Sequence, residues 1–501
     1  MLAIAWAGGG RYLLQRQLWM DEIHSWLLIR EPQTQRSLQA LADGVDYNPP
    51  TYILLARQLR YLPGGINESG LRWLSLSLMF LAIAGMFVVL QRRFPFLVCV
   101  AAVLMMASSV HLIHQSTEIR FYPLWCAACA WLCVVLDSHA IQRPWMLRLN
   151  NVVAVLLAGV ITTTHYFGIL TLGLICVGAM LVPNISRGCR RMIVLVACTG
   201  LVCLVGCLPF LIGQRAAITL ATWVSPATVD DSIGFLTAMF PLVPMIVCGV
   251  AFVICTALRK SGEQNAELAV TEHSATPDAV PTIGGQARQL APSLLLGLMP
   301  LVIVLLSWTV QPALVTRYAV PGILGFGAIF AILLSRCGPR VQILMVVAGG
   351  VMFLQGVAFC SHQWQEIDRT RDELVTQLQS LPADGPIVFE DRTVSMPVLH
   401  SHPEPHARCS LLDFTDDQLT TDSRLRIVQR DVGRRIAQWY PAYTIRTLDS
   451  LENERTFFVI PYVESPSASL LWPADHRKSS VSPGIDRYDR KAPESSTVPL
   501  E

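Results

Sequence analysis

Residues 150–182 read NNVVAVLLAGVITTTHYFGILTLGLICVGAMLV, two apolar runs that meet at Thr162, Thr163, Thr164 and His165. A helix needs about 20 mostly apolar residues to cross a hydrocarbon layer about 30 Å thick, because each residue rises about 1.5 Å. Taken as one segment the stretch is a single long buried helix; taken as two it is a pair of short helices meeting at a polar turn. We adopt the second, and that choice sets the side on which every later loop lies. Ten apolar segments then follow along the chain, near residues 71–91, 95–114, 119–138, 150–163, 165–182, 191–213, 233–258, 293–311, 317–335 and 341–360.

The loops between these segments alternate in charge. One side carries twelve cationic residues, Arg92, Arg93, Arg143, Arg148, Arg187, Arg190, Arg191, Arg259, Lys260, Arg288, Arg336 and Arg340; the other carries Arg72, Arg120, Arg215 and Arg317. The excess of Lys and Arg marks the cytoplasmic side. Residues 20–70, the 214–232 loop and everything after 360 are therefore expected outside. Merging the two short helices scrambles this asymmetry.

Composition agrees with a membrane chain. Of 501 residues, 52% are hydrophobic and 15% charged, against about 25% charged in soluble domains; the mean hydropathy is +0.46. The net charge of +2 is spread out, with none of the basic stripes that track phosphates, so nucleic acid is excluded as a partner. Most of the 14 cysteines sit in apolar runs. Even the Cys126 and Cys129 pair lies between Trp125 and Trp131, where thiols act as small hydrophobes. Only Cys360 and Cys409 are placed to meet an oxidising compartment.

The fold class expected is an all-α polytopic membrane protein of about ten transmembrane helices with a small C-terminal extracytoplasmic α/β appendage. Residues 1–70 form the N-terminus and first outward loop, and 71–360 the transmembrane domain. The only apolar run before Trp19 is Leu2 to Ala7, so a first helix is expected to be missing or truncated. Residues 259–291 are polar and read as a flexible cytoplasmic linker. Residues 361–463 are the appendage. It opens with an amphipathic helix over 363–380, carrying Ile367, Leu374, Leu378 and then Leu381, and has β-type runs at 386–390 and 457–461. The Ser- and Pro-rich tail, 464–501, is expected to be disordered.

Chemistry-bearing residues concentrate on the outward side. Asp21 and Glu22 stand between Trp19 and Trp26, where a carboxylate can take a proton from a substrate hydroxyl; acids also favour helix N-termini. Tyr47, Asn48, Pro49 and Pro50 precede a helix too short to span, suited to the interface. Glu118, Ile119, Arg120, Phe121 and Tyr122 stand at the outward end of a span, where charge is costly and commonly functional. Arg120 offers a donor fork suited to phosphate; the alternative is an anchoring ion pair with Glu118. His165 and Tyr166 occupy the polar turn, and Arg317 and Tyr318 open another span on that side.

The order Asp21-Glu22, Asn48-Pro49-Pro50-Thr51-Tyr52, Arg72 entering a span, Glu118 to Tyr122, His165-Tyr166 and Arg317-Tyr318 resembles the GT-C membrane glycosyltransferases. Within them it looks like the bacterial branch related to protein mannosyltransferases and aminoarabinose lipid A transferases, over roughly residues 19–360. The resemblance implies a polyprenyl-phosphate-linked sugar donor, a lipid, glycan or protein acceptor hydroxyl, and inversion at the anomeric carbon. It implies a multi-pass protein of the cell (inner) membrane with its C-terminal region outside. It makes Asp21 the general base and Glu22 its partner or substrate holder. Arg120, Tyr122, Arg317 and Tyr318 become candidates for the carrier phosphate, with Glu118, His165, Tyr166, Tyr47 and Asn48 lining the pocket.

No cofactor is required by that chemistry. Some relatives use a divalent metal, but no ligand set of confident spacing is found; His400, His402, Glu404 and His406 are interrupted by Pro403 and Pro405 and read as an exposed loop. Rival classes are a transporter or flippase of lipid-linked sugars, which calls for paired broken helices in two related halves, an O-antigen polymerase or ligase, and an inactive membrane scaffold.

Overall fold

The computed structural model describes residues 10–138, 144–183, 185–217, 227–267, 283–402, 408–413, 424–461, 476–482 and 485–491. The chain forms two compact units. The first comprises Met1–Gln15, Asn48–Pro209 and Val224–Trp364; the second comprises Arg16–Tyr47, Phe210–Trp223 and Gln365–Glu501. The early loop bearing Asp21 thus belongs with the C-terminal appendage, a grouping to which sequence order gives no clue.

The first unit is helical. Its helix Glu68–Gln91 starts where the Asn67 side chain accepts the Gly70 N–H at 2.7 Å, satisfying one of the orphan donors of a helix start. Leu71, Ser75, Met79, Ala82, Met86 and Val89 recur every three or four residues and are buried. That stripe faces the Tyr122–Ser138 helix, whose Trp131 indole donates to the Leu81 carbonyl at 3.0 Å. On the Arg187–Ala217 helix, Val194, Leu201, Val202 and Val205 are each more than half exposed. Apolar side chains arrayed outward along a long helix are at home against lipid.

All ten apolar segments fall on helices, but the spans are less uniform than expected. Four described helices are long and apolar enough to cross a membrane, Glu68–Gln91, Arg187–Arg215, Thr316–Leu334 and Pro339–Ser380, or up to six if two bent pairs count as one span each. Phe96–Ala107 turns by 78° into Val110–Ser116, and Val229–Met239 by 65° into Leu242–Leu258. At the first bend Ser108 Oγ bonds the Met105 carbonyl at 2.7 Å, competing with the backbone ladder. At the second, Pro241 supplies no N–H. The 150–182 stretch is two helices, Pro144–Thr164 and Gly168–Met180. A Cβ on Gly168 would collide with the backbone oxygen of Ile161, so the tight turn at 165–167 requires glycine there.

The polar 259–291 region differs from a flexible linker at both described ends. The Leu242–Glu267 helix runs on through it and Ile283–Gln289 is again helical, Glu, Gln and Ala being good helix formers; residues 268–282 lie outside the described residues. The amphipathic 363–380 stretch is no separate helix but the last part of Pro339–Ser380.

In the second unit a six-stranded sheet has the order β3-β2-β1-β4-β6-β5. Its strands are β1 Ile387–Phe389, β2 Cys409–Asp413, β3 Ile445–Thr447, β4 Thr456–Ile460, β5 His476–Ser482 and β6 Ile485–Arg490. The first four are parallel; β6 runs antiparallel to β4 and to β5. The two β-type runs read from sequence are direct neighbours, Ile387 pairing with Phe458 and Phe389 with Ile460. Val388, Leu412, Phe457, Val459 and Tyr488 close the core with Leu448 and Leu451. The expectation of a disordered tail from 464 is corrected by β5 and β6: Tyr488 stacks on Phe457 with centroids 4.9 Å apart, and that burial outweighs the polar composition. His400 lies in the last turn of the Arg392–Ser401 helix and His402 is its C-cap, so they differ from the exposed loop read from sequence; Glu404 and His406 lie outside the described residues.

Candidate functional site

In the first unit several of the residues at helix ends converge on His165. Phe121 and Trp125 both stack on its imidazole at 4.8 Å, with interplanar angles of 18° and 26°. Tyr318 lies at 5.2 Å and Phe167 edge-on at 5.2 Å. Tyr122 packs beside Phe121 at 4.1 Å. The helix start fixes these rings: Trp125, one turn into Tyr122–Ser138, donates to Thr171 Oγ1 at 3.1 Å. Within the turn, the Phe167 N–H donates to His165 Nδ1 at 3.2 Å. An accepting Nδ1 leaves the ring proton of a neutral imidazole on Nε2, a donor available to a guest.

Two guanidiniums join the cage. Arg120 lies 5.3 Å from the Phe121 ring centre, and Arg120 and Arg317 both lie within electrostatic reach of His165. Glu118 and Arg120 are 4% and 5% exposed. The segment holding them is clamped from behind: fully buried Arg72 donates to the Thr117 carbonyl at 2.9 Å and Ser75 to the Glu118 carbonyl at 2.6 Å. Thr51 donates to Thr163 at 2.7 Å, tying the Asn48 to Thr51 segment to the residues just before the turn. Asn48 is buried and Tyr166 half-buried. Of the first-unit candidates, then, Arg120, Tyr122, His165, Arg317 and Tyr318 share one cluster.

In the second unit the two acids of the first loop part company. Glu22 Oε2 lies 2.7 Å from Arg16 Nη1, both side chains shielded from solvent, and accepts the Trp19 backbone N–H at 3.2 Å. That is the return half of a capping box. Glu22 therefore secures the start of the Met20–Arg30 helix and is paired with Arg16. Asp21 is 8% exposed. One turn on, Ser25 Oγ lies 3.4 Å from Asp46 Oδ2, while Asp46 Oδ1 accepts the Tyr47 N–H at 2.7 Å. Burial, opposed by Arg392, pushes the Tyr47 phenol up to about 12.

Arg392 is the residue that sequence reading missed. It sits in the first turn of the Arg392–Ser401 helix, behind the N-cap Asp391, whose carboxylate accepts the Thr393 N–H at 2.7 Å. It lies within electrostatic reach of Tyr47, Asp21 and Asp391, and burial lowers its pKa below the ordinary value. The available signal was positional: an acid and an arginine directly after a β-type run mark the carboxyl end of a strand, where α/β folds place ligands. Among the described residues no group of three or more His, Cys, Asp or Glu is placed to hold a metal ion.

The chain combines long and broken apolar helices with a parallel-stranded α/β unit. The fold is similar to that of ArnT from Cupriavidus metallidurans bound to undecaprenyl phosphate, at 14% identity with 98% of each chain covered and a TM-score of 0.57. Its apo state gives 13% identity, the same coverage and a TM-score of 0.55. At that identity the likeness is one of fold. No family model matches the chain, and neither does any curated protein.

Proposed function

We propose that this chain is an integral-membrane glycosyltransferase that takes a sugar from a polyprenyl-phosphate donor and passes it, with inversion, to an acceptor hydroxyl on the extracytoplasmic side of the inner membrane. The observation that carries the proposal is the His165 cage, which sets two arginines and an imidazole N–H against aromatic walls at the end of apolar helices. A phosphate on a greasy chain matches both halves of such a site. The similarly folded ArnT holds undecaprenyl phosphate, which supports the same ligand class here.

In this mechanism the acceptor oxygen attacks the anomeric carbon as the bond from that carbon to the phosphate oxygen breaks. The acceptor proton passes to Asp21. The electron pair leaves with the phosphate, whose growing negative charge Arg120 and Arg317 stabilise. Tyr122, Tyr318, Glu118, Tyr166 and Asn48 shape the pocket.

Purified Asp21→Asn is expected to fold and to keep undecaprenyl phosphate binding while losing transfer by at least about 100-fold, the scale of general base catalysis. Transfer at the wild-type rate removes Asp21 from the base role. Arg120→Met is expected to weaken undecaprenyl phosphate binding; unchanged binding would remove the cage from the donor site.

A further inference from the structure

In the second unit, β1 and β2 end side by side, and their carboxyl ends open into a small cleft walled by Glu390, Arg392, Asp413, Arg430 and Arg434 over a floor that includes Leu411. Ligands of open α/β sheets bind at this edge. Two of the arginines are already engaged: Arg434 Nε and Nη2 each lie 2.7 Å from Asp413 Oδ1, and Arg430 lies 3.0 Å from Asp431. Arg392 is different. It is 9% exposed, and its Nε and Nη1 have no hydrogen-bond partner among the described residues. Leaving charged donors buried without acceptors is costly, and a guest that brings oxygens removes the cost.

We propose that this cleft binds a phosphate group, received by Arg392 with Arg434 and Arg430 at its rim. Asp413 holds Arg434 and Asp431 holds Arg430, which leaves Arg392 as the guanidinium of the described cleft wall whose Nε and Nη1 remain to receive an anion's oxygens. The N-terminus of the Arg392–Ser401 helix ends at the same point and adds its dipole. Arginine forks and phosphate oxygens also match in geometry. The site lies within the second unit and involves none of the His165 cage residues.

The test is calorimetric titration of inorganic phosphate into the detergent-purified full chain, against chloride at equal ionic strength. Saturable phosphate binding is expected, weakened at least about tenfold in Arg392→Gln and in Arg434→Gln, equivalent to the loss of one charge-assisted contact. Arg434 is exposed, so its variant tests the cleft even if Arg392→Gln does not fold. Binding that survives both substitutions but disappears in Arg120→Met belongs to the cage and overturns the proposal, as does the absence of phosphate-specific heat. Repeating the titration in nanodiscs identifies the source. Competition by phosphatidic acid but not by phosphatidylcholine makes a lipid headgroup the occupant, and undiminished binding in both makes it free phosphate.

Discussion

Replacing Glu22 by Gln separates a structural acid from a catalytic one. The amide can still accept the Trp19 N–H, as Glu22 Oε2 does at 3.2 Å. It leaves the Arg16 guanidinium, now 2.7 Å from a carboxylate with both side chains fully shielded, buried opposite a neutral group. Removing one partner of a buried pair costs about 3–5 kcal/mol, because the remaining ion keeps its desolvation penalty without the opposite charge that offset it; the Gln17 carbonyl, 3.2 Å from Arg16 Nη1, supplies only a neutral acceptor. That is roughly a 10²- to 10⁴-fold fall in the ratio of folded to unfolded chain. At about 2–4 °C per kcal/mol for a cooperative unit of 150–250 residues, the unfolding midpoint falls by on the order of 10 °C. The double replacement Arg16→Met with Glu22→Leu removes both charges and is predicted to recover most of the loss. Thermal unfolding of the full chain in detergent, followed by the fluorescence of nearby Trp19 and Trp26, reads the difference. A Glu22→Gln protein that unfolds within about 1 °C of wild type yet transfers no sugar refutes the reasoning and returns Glu22 to catalysis.

Three further outcomes are predicted. The Tyr47 phenol is raised from 10.0 to about 12 by burial, so the folded chain keeps its proton where the unfolded chain gives it up. The associated stability, on the order of 2–3 kcal/mol, is intact below pH 10 and lost as the pH rises from 10 to 12. Denaturant midpoints measured over that range are predicted to fall less steeply in Tyr47→Phe, and equal slopes would refute this. Gly168→Ala forces a Cβ into the Ile161 carbonyl and is predicted to lower stability by about 1–3 kcal/mol, as overpacking does; an unchanged thermal midpoint would show that the turn can relax. Arg72→Met strips the Thr117 carbonyl of its 2.9 Å donor at about 1–3 kcal/mol. It is also predicted to weaken undecaprenyl phosphate binding through Arg120, and a loss of stability with unaltered binding would confine Arg72 to the scaffold.

Apolar runs, capping side chains and turn residues act over a few neighbours, so the sequence alone determined the ten helical segments, a break near His165 (at 165–167, a few residues after the Thr162 start read from sequence) and the existence of a small C-terminal sheet unit. Charged residues set at helix ends, Arg120 and Arg317 among them, also stood out, because charge beside apolar runs is expensive whatever it touches. Tertiary structure decided what local pattern does not encode. It bent two apolar segments by 78° and 65° and added a hairpin in a tail whose composition suggested none. It spent Glu22 on Arg16 while leaving its neighbour Asp21 to the Tyr47 and Arg392 group. Adjacent residues on a helix point about 100° apart, so two acids that look equivalent in a line face different partners once the chain is packed. Arg392, 371 positions from Asp21, acquires its meaning only from contacts that folding makes.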